Sequence, residues 1–71
     1  RETLSTRERM ARIIDLIGPD AFTGFDKLFD VSEGKAGVVV TFLAILELVK
    51  EDLIEIVQAQ PFANIHIKMA S

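Results

Sequence analysis

Apolar residues are densest between Gly37 and Asp52, where the chain reads GVVVTFLAILELVKED. At about 3.6 residues per turn, this stretch is long enough for a helix of about four turns. When its positions are placed at ~100° per residue, most of the large side chains fall on one broad arc, which we expect to face the core. This arc consists of Val38, Val39, Phe42, Leu43, Ile45, Leu46 and Val49.

A second apolar stripe lies on the other side of the same helix. Val40, Ala44 and Leu48 recur at intervals of four residues, and the polar positions on that side are Thr41, Glu47 and Glu51. A surface helix usually keeps that side polar. The stripe is therefore buried either within the domain or against a partner, and the residues alone leave both alternatives open.

The chain before this helix begins with an amphipathic helix. Ser5 and Glu8 have the spacing of a capping box, in which each side chain bonds the other residue's backbone N–H. Gly18 and Pro19 end the periodic segment, because glycine adopts the left-handed cap conformation and proline cannot continue a helix. We therefore predict a helix over about residues 5–17, with an apolar face of Met10, Ile13, Ile14 and Ile17.

Two further helices and a short strand are predicted after Pro19. Ala21 and Phe22 favour a strand of two or three residues, and the FDKLF stretch favours a short second helix over about residues 24–30. Ser32 is a suitable N-cap for the long third helix, which we place over about residues 33–51. A short helix, a tight turn and a longer helix are typical of a helix-turn-helix.

The C-terminal part of the chain predicts a β-hairpin. LIEIVQ is rich in β-branched residues, and ANIHIK alternates between apolar and polar positions, so we place strands over about residues 53–58 and 63–68. Pro61 lies in the connecting loop because proline cannot donate a hydrogen bond to a strand ladder. Together these elements predict an α+β, mainly α fold: one winged-helix domain over residues 1–71, with three helices and a C-terminal β-hairpin wing.

The composition describes a small, acidic domain. The chain has 71 residues, a formal net charge of −3 and 49% hydrophobic residues, more than we expect a core of this size to bury. Because nucleic-acid binding needs clustered Lys and Arg, the charge disfavours DNA as the main partner. No apolar run approaches the roughly 20 residues of a membrane-spanning helix, and no membrane partner is expected. Since the first residue is Arg1 rather than Met, we expect a fragment of a longer chain.

The residue types that carry chemistry are sparse. His66 is the only histidine, and with no cysteine and no second histidine it lacks partners for a metal or catalytic site. The SEGKAG stretch does not match the phosphate-binding pattern GxxxxGK[ST]. The many carboxylates fall mostly at helix ends, where they serve as caps and solubilising charges. We therefore expect no catalytic residues, no cofactor and no metal.

The residues from Thr41 to Lys68, TFLAILELVKEDLIEIVQAQPFANIHIK, resemble the C-terminal domain of kleisins, and among them the bacterial segregation and condensation protein A family. The helix phrase FLAILEL, Gln58 at the end of the first wing strand and the phrase PFANI carry the resemblance, which extends over roughly residues 5–68. Ala63 departs from the pattern, since glycine is expected there in many bacterial relatives.

The resemblance implies a protein-binding role in chromosome condensation and segregation. It implies a C-terminal winged-helix domain that docks on the ATPase head of an SMC protein, in the cytoplasm and associated with the nucleoid. An accessory kleisin-binding subunit would bind parts of the chain that are not present here, and DNA would be contacted only indirectly through the complex.

The candidate partner-binding residues are Val40, Ala44, Leu48 and Phe62. The first three form the second stripe of the long helix, and Phe62 in the hairpin loop either anchors a partner or folds back onto the core. The alternative function is that of a DNA-binding winged-helix domain of a transcription regulator. The long helix disfavours it, because Lys35 and Lys50 stand there against Glu47, Glu51 and Asp52.

Overall fold

A computed structural model describes residues 5–19 and 21–70 of the chain. The described residues form an α+β fold that is mainly helical, in which two α-helices pack beside a small antiparallel sheet. The elements are helix α1 (Thr6–Ile17), strand β1 (Thr23–Gly24), 3₁₀ turns at Phe25–Leu28 and Val31–Glu33, helix α2 (Gly34–Lys50), and strands β2 (Ile54–Val57) and β3 (His66–Met69).

Helix α1 begins and ends as the sequence predicts. The Ser5 hydroxyl accepts a hydrogen bond from the backbone N–H of Glu8 at 3.2 Å, which satisfies one of the free donors of the first turn. At the other end Gly18 has a φ of 76° and its N–H donates to the carbonyl of Ile14. The left-handed conformation there suits glycine, which has no Cβ to clash with the backbone.

The prediction of three helices is wrong, because the stretch predicted as the second helix forms a single 3₁₀ turn. Phe25–Leu28 makes that turn, and Phe29 already has an extended backbone. The turn is too short to offset the cost of nucleating an α-helix. Asp30 then starts a separate 3₁₀ turn, since its carboxylate accepts hydrogen bonds from the backbone N–H and the hydroxyl of Ser32.

Helix α2 starts slightly later than predicted and ends in a well-defined cap. Ser32 is not its N-cap, because that residue belongs to the preceding 3₁₀ turn. At the C-terminus the N–H of Leu53 donates to the carbonyl of Leu48, and the N–H of Asp52 donates to that of Val49. With Asp52 at a φ of 61°, this is the Schellman pattern, and aspartate is among the residues that tolerate this conformation.

The sheet contains one more strand than the predicted hairpin. β2 and β3 pair antiparallel, as predicted, although β3 begins at His66 rather than at the predicted residue 63. β1 joins the other side of β3, which gives the order β1-β3-β2. The predicted short strand therefore exists, although it lies at Thr23–Gly24 rather than at Ala21–Phe22. The central strand places Ile67 opposite Ile56 and fully buries its side chain, which anchors the sheet to the helices.

The core contains the side of α2 that we expected to lie away from it. Val40, Ala44 and Leu48 are 6%, 0% and 0% exposed, so the prediction that they lie off the core face is wrong. Of the expected core arc, only Ile45 is fully buried, and Val49 is half-buried. The buried apolar residues are Ile13, Ile17, Leu28, Val40, Ala44, Ile45, Leu48, Ile54 and Ile67.

Small residues explain why α2 turns this side inward. Gly37 and Ala44 are both buried and lie on the same side of the helix as Thr41 and Leu48. The distance between packed helices depends on the side chains at the contact, so small residues let α1 approach closely. A Cβ at Gly37 would clash with the side chain of Glu33, the N-cap residue of α2 that pairs with Arg9 of α1. Both sides of α2 are apolar, and the side that allows close packing faces the core.

A partly buried ion pair connects α1 to the start of α2. The guanidinium Nη2 of Arg9 donates to the Oε2 of Glu33 at 2.6 Å, and Arg12 lies 3.6 Å from the same oxygen. The side chain of Arg9 is only 7% exposed and that of Glu33 is 22% exposed. Removing one member would leave the other charged group partly desolvated without its main partner.

The burial of α2 predicts different costs for two leucine truncations on this helix. Leu48→Ala should lower the free energy of unfolding by about 2–5 kcal/mol, because Leu48 is fully buried and its removal leaves a cavity. Leu46→Ala should cost about 1 kcal/mol or less, since its side chain is already 47% exposed. Chemical denaturation measures both, and a larger loss for Leu46→Ala than for Leu48→Ala would contradict this orientation of α2.

The ion pair predicts a second stability difference. Arg9→Met keeps much of the side-chain volume but removes the charge, and should cost about 1–3 kcal/mol because Glu33 loses its closest partner. Arg7→Met on the exposed side of α1 is the matched control, expected within about 0.5 kcal/mol of wild type. Equal denaturation midpoints for the two variants would show that the pair contributes little to stability.

Candidate protein interface

The side of α2 that points away from the core carries a cluster of large apolar side chains, here called the outer face. The five members are each close to half exposed, between 46% and 50%. They lie along successive turns of one helix, so they form a continuous stripe rather than scattered contacts. The outer face consists of Val38, Val39, Phe42, Leu43 and Leu46.

The outer face lies on a helix that is packed against the core, and it has few charges. Helix α2 is fixed on its inner side by the core, so the outer face is presented on a rigid scaffold. Lys35 and Lys50, both exposed, lie near its two ends. An exposed apolar stripe bordered by polar groups is the composition that marks protein interaction sites rather than phosphate-binding surfaces.

An acidic pair lies beside the C-terminal end of the outer face. Glu47 and Glu51 are separated by one helical turn, where like charges repel. The pKa of Glu51 is raised, chiefly because its carboxyl group hydrogen-bonds to that of Glu47, and also by desolvation and charge repulsion. Arg7 and Lys50 act in the opposite direction. The two side chains therefore add a polar border to the stripe.

Three of the predicted partner-binding residues do not reach the surface. The core contains Val40, Ala44 and Leu48. The sequence correctly indicates that α2 has two apolar sides, but the side that faces the core was predicted wrongly. The sequence contained an indication of the correct side, because Gly37 and Ala44 are the small residues of α2 that suit a close helix contact. The residues of the outer face were expected in the core instead, so the sequence did not predict this exposed surface.

Phe62, the fourth predicted residue, is fully exposed at the tip of the hairpin. The N–H of Ala63 donates to the carbonyl of Gln60 at 3.0 Å, and Phe62 has a φ of 68°. With Pro61 before it, this is the geometry of a type II turn, whose third residue is normally glycine or asparagine. For a side chain as bulky as phenylalanine, the left-handed conformation costs roughly 1–2 kcal/mol. Its partner-binding role stays a prediction.

The hairpin tip is held in place by a side-chain contact. The Nε2 of Gln58 donates to the carbonyl of Ala63 at 2.8 Å, which ties the end of β2 to the far side of the turn. On the sheet itself, Lys68 lies 3.2 Å from Glu55 on the neighbouring strand. The turn that carries Phe62 is therefore a defined structure and not an unsupported loop.

A shallow concavity lies on the side of the sheet near β1. The rings of Phe22 and His66 meet edge to face, with centroids 6.4 Å apart, and Phe22 is 61% exposed. The concavity of about 470 Å³ is lined by Phe22, Val57, Ala59, Ala63, Asn64 and His66. Among the described residues, no group of three or more potential His, Cys, Asp or Glu metal ligands is found.

Within residues 5–19 and 21–70, no helix combines the length and the hydrophobicity that crossing a membrane requires. The longest described helix, α2, has 17 residues and has its inner side in the domain core.

Comparison with known proteins identifies the family. Residues 1–70 match the family described as segregation and condensation protein ScpA. Segregation and condensation protein A of Coxiella burnetii is 56% identical over 68 residues, which cover 96% of this chain and 26% of that protein. The protein of the same name in Xylella fastidiosa strain 9a5c is 52% identical over 68 residues, which cover 96% of this chain and 22% of that protein.

A less similar relative also matches most of this chain. Segregation and condensation protein A of Myxococcus xanthus is 39% identical over 67 residues, which cover 92% of this chain and 23% of that protein. The chain thus spans about a quarter of the length of the relatives that it matches. From the match over nearly its whole length, the chain belongs to the segregation and condensation protein ScpA family.

Proposed function

We propose that this chain is a protein-binding domain that docks on the ATPase head of an SMC protein through the outer face of α2. The observation that carries the proposal is the set of five large apolar side chains held half exposed on one rigid helix. The relatives are named for segregation and condensation, and the resemblance to kleisin C-terminal domains supplies the SMC head as the partner. The role is one of assembly and requires no catalytic group.

The energetics of the outer face favour a protein partner. Each member still exposes about half of its side chain to water, and burying that area contributes about 25 cal/mol per Å² before the cost of association. A few central residues usually dominate such contacts. Phe42 and Leu43 lie in the middle of the outer face, so we expect them to contribute most to binding.

The fold fits a winged-helix domain with a reduced second helix. α1, the 3₁₀ turn at Phe25–Leu28 and α2 take the places of the three helices, and β2 and β3 form the wing. Within this proposal the chain is one domain of a longer kleisin. Other parts of that protein would bind an accessory subunit, and DNA would be reached only through the complex, in the cytoplasm at the nucleoid.

The rival function, DNA binding by α2, has little electrostatic support in the described residues. A recognition helix presents polar groups to base edges, whereas the outer face is apolar. The only basic residues of α2 are Lys35 and Lys50. Arg9 and Arg12 lie against Glu33, which reduces their availability for phosphates. These contacts favour a protein partner over a duplex.

The proposal predicts that a charge on the outer face abolishes docking. In the full-length protein, Phe42→Asp should weaken binding to an isolated SMC head by at least about 30-fold, the effect of a central contact residue. Leu16→Asp is the matched control, because Leu16 is 50% exposed on α1 while Phe42 is 48% exposed on α2. Affinity is measured by calorimetry, and circular dichroism checks that both variants stay folded.

Three outcomes are informative in that experiment. Loss of binding in Phe42→Asp alone supports the outer face as the docking surface. Loss in neither variant, or equal loss in both, would contradict docking specifically through the outer face. A wild-type protein that does not bind the head at all would refute the proposed partner.

The same reasoning predicts weak DNA binding. At physiological salt, this chain should bind short DNA duplexes no more tightly than the non-specific range of roughly 10⁻⁴–10⁻⁶ M, because the net charge is −3 and α2 has few cations. Fluorescence anisotropy over a series of salt concentrations measures this affinity. Sub-micromolar binding to duplex DNA at physiological salt would favour the DNA-binding alternative over the protein-binding role.

A further inference from the structure

We infer that Phe62 is a preformed anchor, a phenyl ring held away from the domain so that it inserts into an apolar cavity of the protein partner. The inference rests on the proposed function for the identity of that partner, and it adds a second point of contact beyond the outer face of α2. Three features of the hairpin tip carry it: the backbone conformation of Phe62, the exposure of its ring and the absence of charge around it.

The backbone conformation is the first feature. Phe62 adopts a φ of 68° at the position of a type II turn where glycine is free of steric conflict. A large side chain in this conformation is unfavourable for the isolated domain. Asp52 shows the contrast, because it takes a similar φ of 61° but is a residue type that tolerates the conformation and caps a helix there. Strain retained at an exposed turn points to a function of the side chain.

The exposure of the ring is the second feature. Phe62 has a relative exposure of 103%, so its side chain contributes nothing to the packing of its own domain. Its neighbours Pro61 and Gln60 are exposed as well, which leaves the ring accessible from several directions. A fully exposed aromatic ring gains a large amount of buried apolar surface when it enters a cavity, and aromatic residues are common anchors of protein interfaces.

The lack of charge is the third feature, and it selects the class of partner. The loop from Gln58 to Ile65 reads QAQPFANI and contains no Lys, Arg, Asp or Glu. A wing tip that contacts nucleic acid needs cations against the phosphates. An uncharged tip with one projecting aromatic ring instead matches an apolar cavity in a protein.

The turn also limits the entropy that binding would cost. The hydrogen bond from Ala63 to Gln60 closes the turn, and the Gln58 amide holds the carbonyl of Ala63 from the side. Because the loop is already ordered, docking has to fix little more than the ring itself. Preorganisation of this kind raises affinity by lowering the conformational cost of association.

Two substitutions separate the binding role of the ring from the strain of the backbone. Phe62→Ala removes the ring and keeps a Cβ in the left-handed conformation, whereas Phe62→Gly removes both. In the full-length protein, both variants should lose at least about 10-fold in affinity for an isolated SMC head. Phe62→Gly should unfold at a temperature about 4–8 °C above Phe62→Ala, because only glycine relieves the strain. Gln60→Ala, also at the tip, is the control and should bind like wild type.

The outcomes separate this inference from the proposed function. If the head binds wild type and both Phe62 variants equally, the anchor is refuted while docking through the outer face stands. If the two variants unfold at the same temperature, the turn is not strained as inferred. If both variants bind the head as wild type does but lose affinity for a DNA duplex, the ring contacts nucleic acid and the inference is overturned. If wild type does not bind the head, both the proposed function and this inference fail.

Discussion

The close contact between α1 and α2 is the interaction on which the rest of the structure depends. Ile13 and Ile17 of α1 pack in one cluster with Ala44 and Leu48 of α2, all nearly inaccessible to water. Because Ala44 is small, α1 can pack close to this side of α2. Val38, Val39, Phe42, Leu43 and Leu46 are left on the opposite side. The choice of buried side therefore also determines which surface the domain offers to other molecules.

A helix that is apolar all round serves the domain in two ways. Its inner side supplies much of the core of a small domain, for which burial is always marginal. Its outer side remains half exposed, and an apolar surface of this extent is a solubility liability unless another molecule covers it. The Arg9–Glu33 pair adds a polar link between α1 and the start of α2 to this apolar contact.

Local signals predicted the parts of the fold that depend on local chemistry. The N-cap at Ser5, the positive φ at Gly18 and the antiparallel pairing of the C-terminal strands follow from specific residue patterns, and the structure confirms these three features. Only the Ser5 half of the capping box forms, and β3 starts later than predicted. The orientation of α2 depends on tertiary packing instead, since both of its sides are apolar and periodicity cannot distinguish them. The prediction of a short second α-helix was wrong for a related reason, because an apolar face of so few residues does not determine helix type.

If α2 uses one side for the core and the opposite side for a partner, methyl NMR of the chain during titration with an unlabelled SMC head will distinguish the two sides. We expect binding to perturb the methyl signals of Val38, Val39, Leu43 and Leu46 far more than those of the buried Leu48. Binding that leaves all four of these signals unchanged would contradict this expectation.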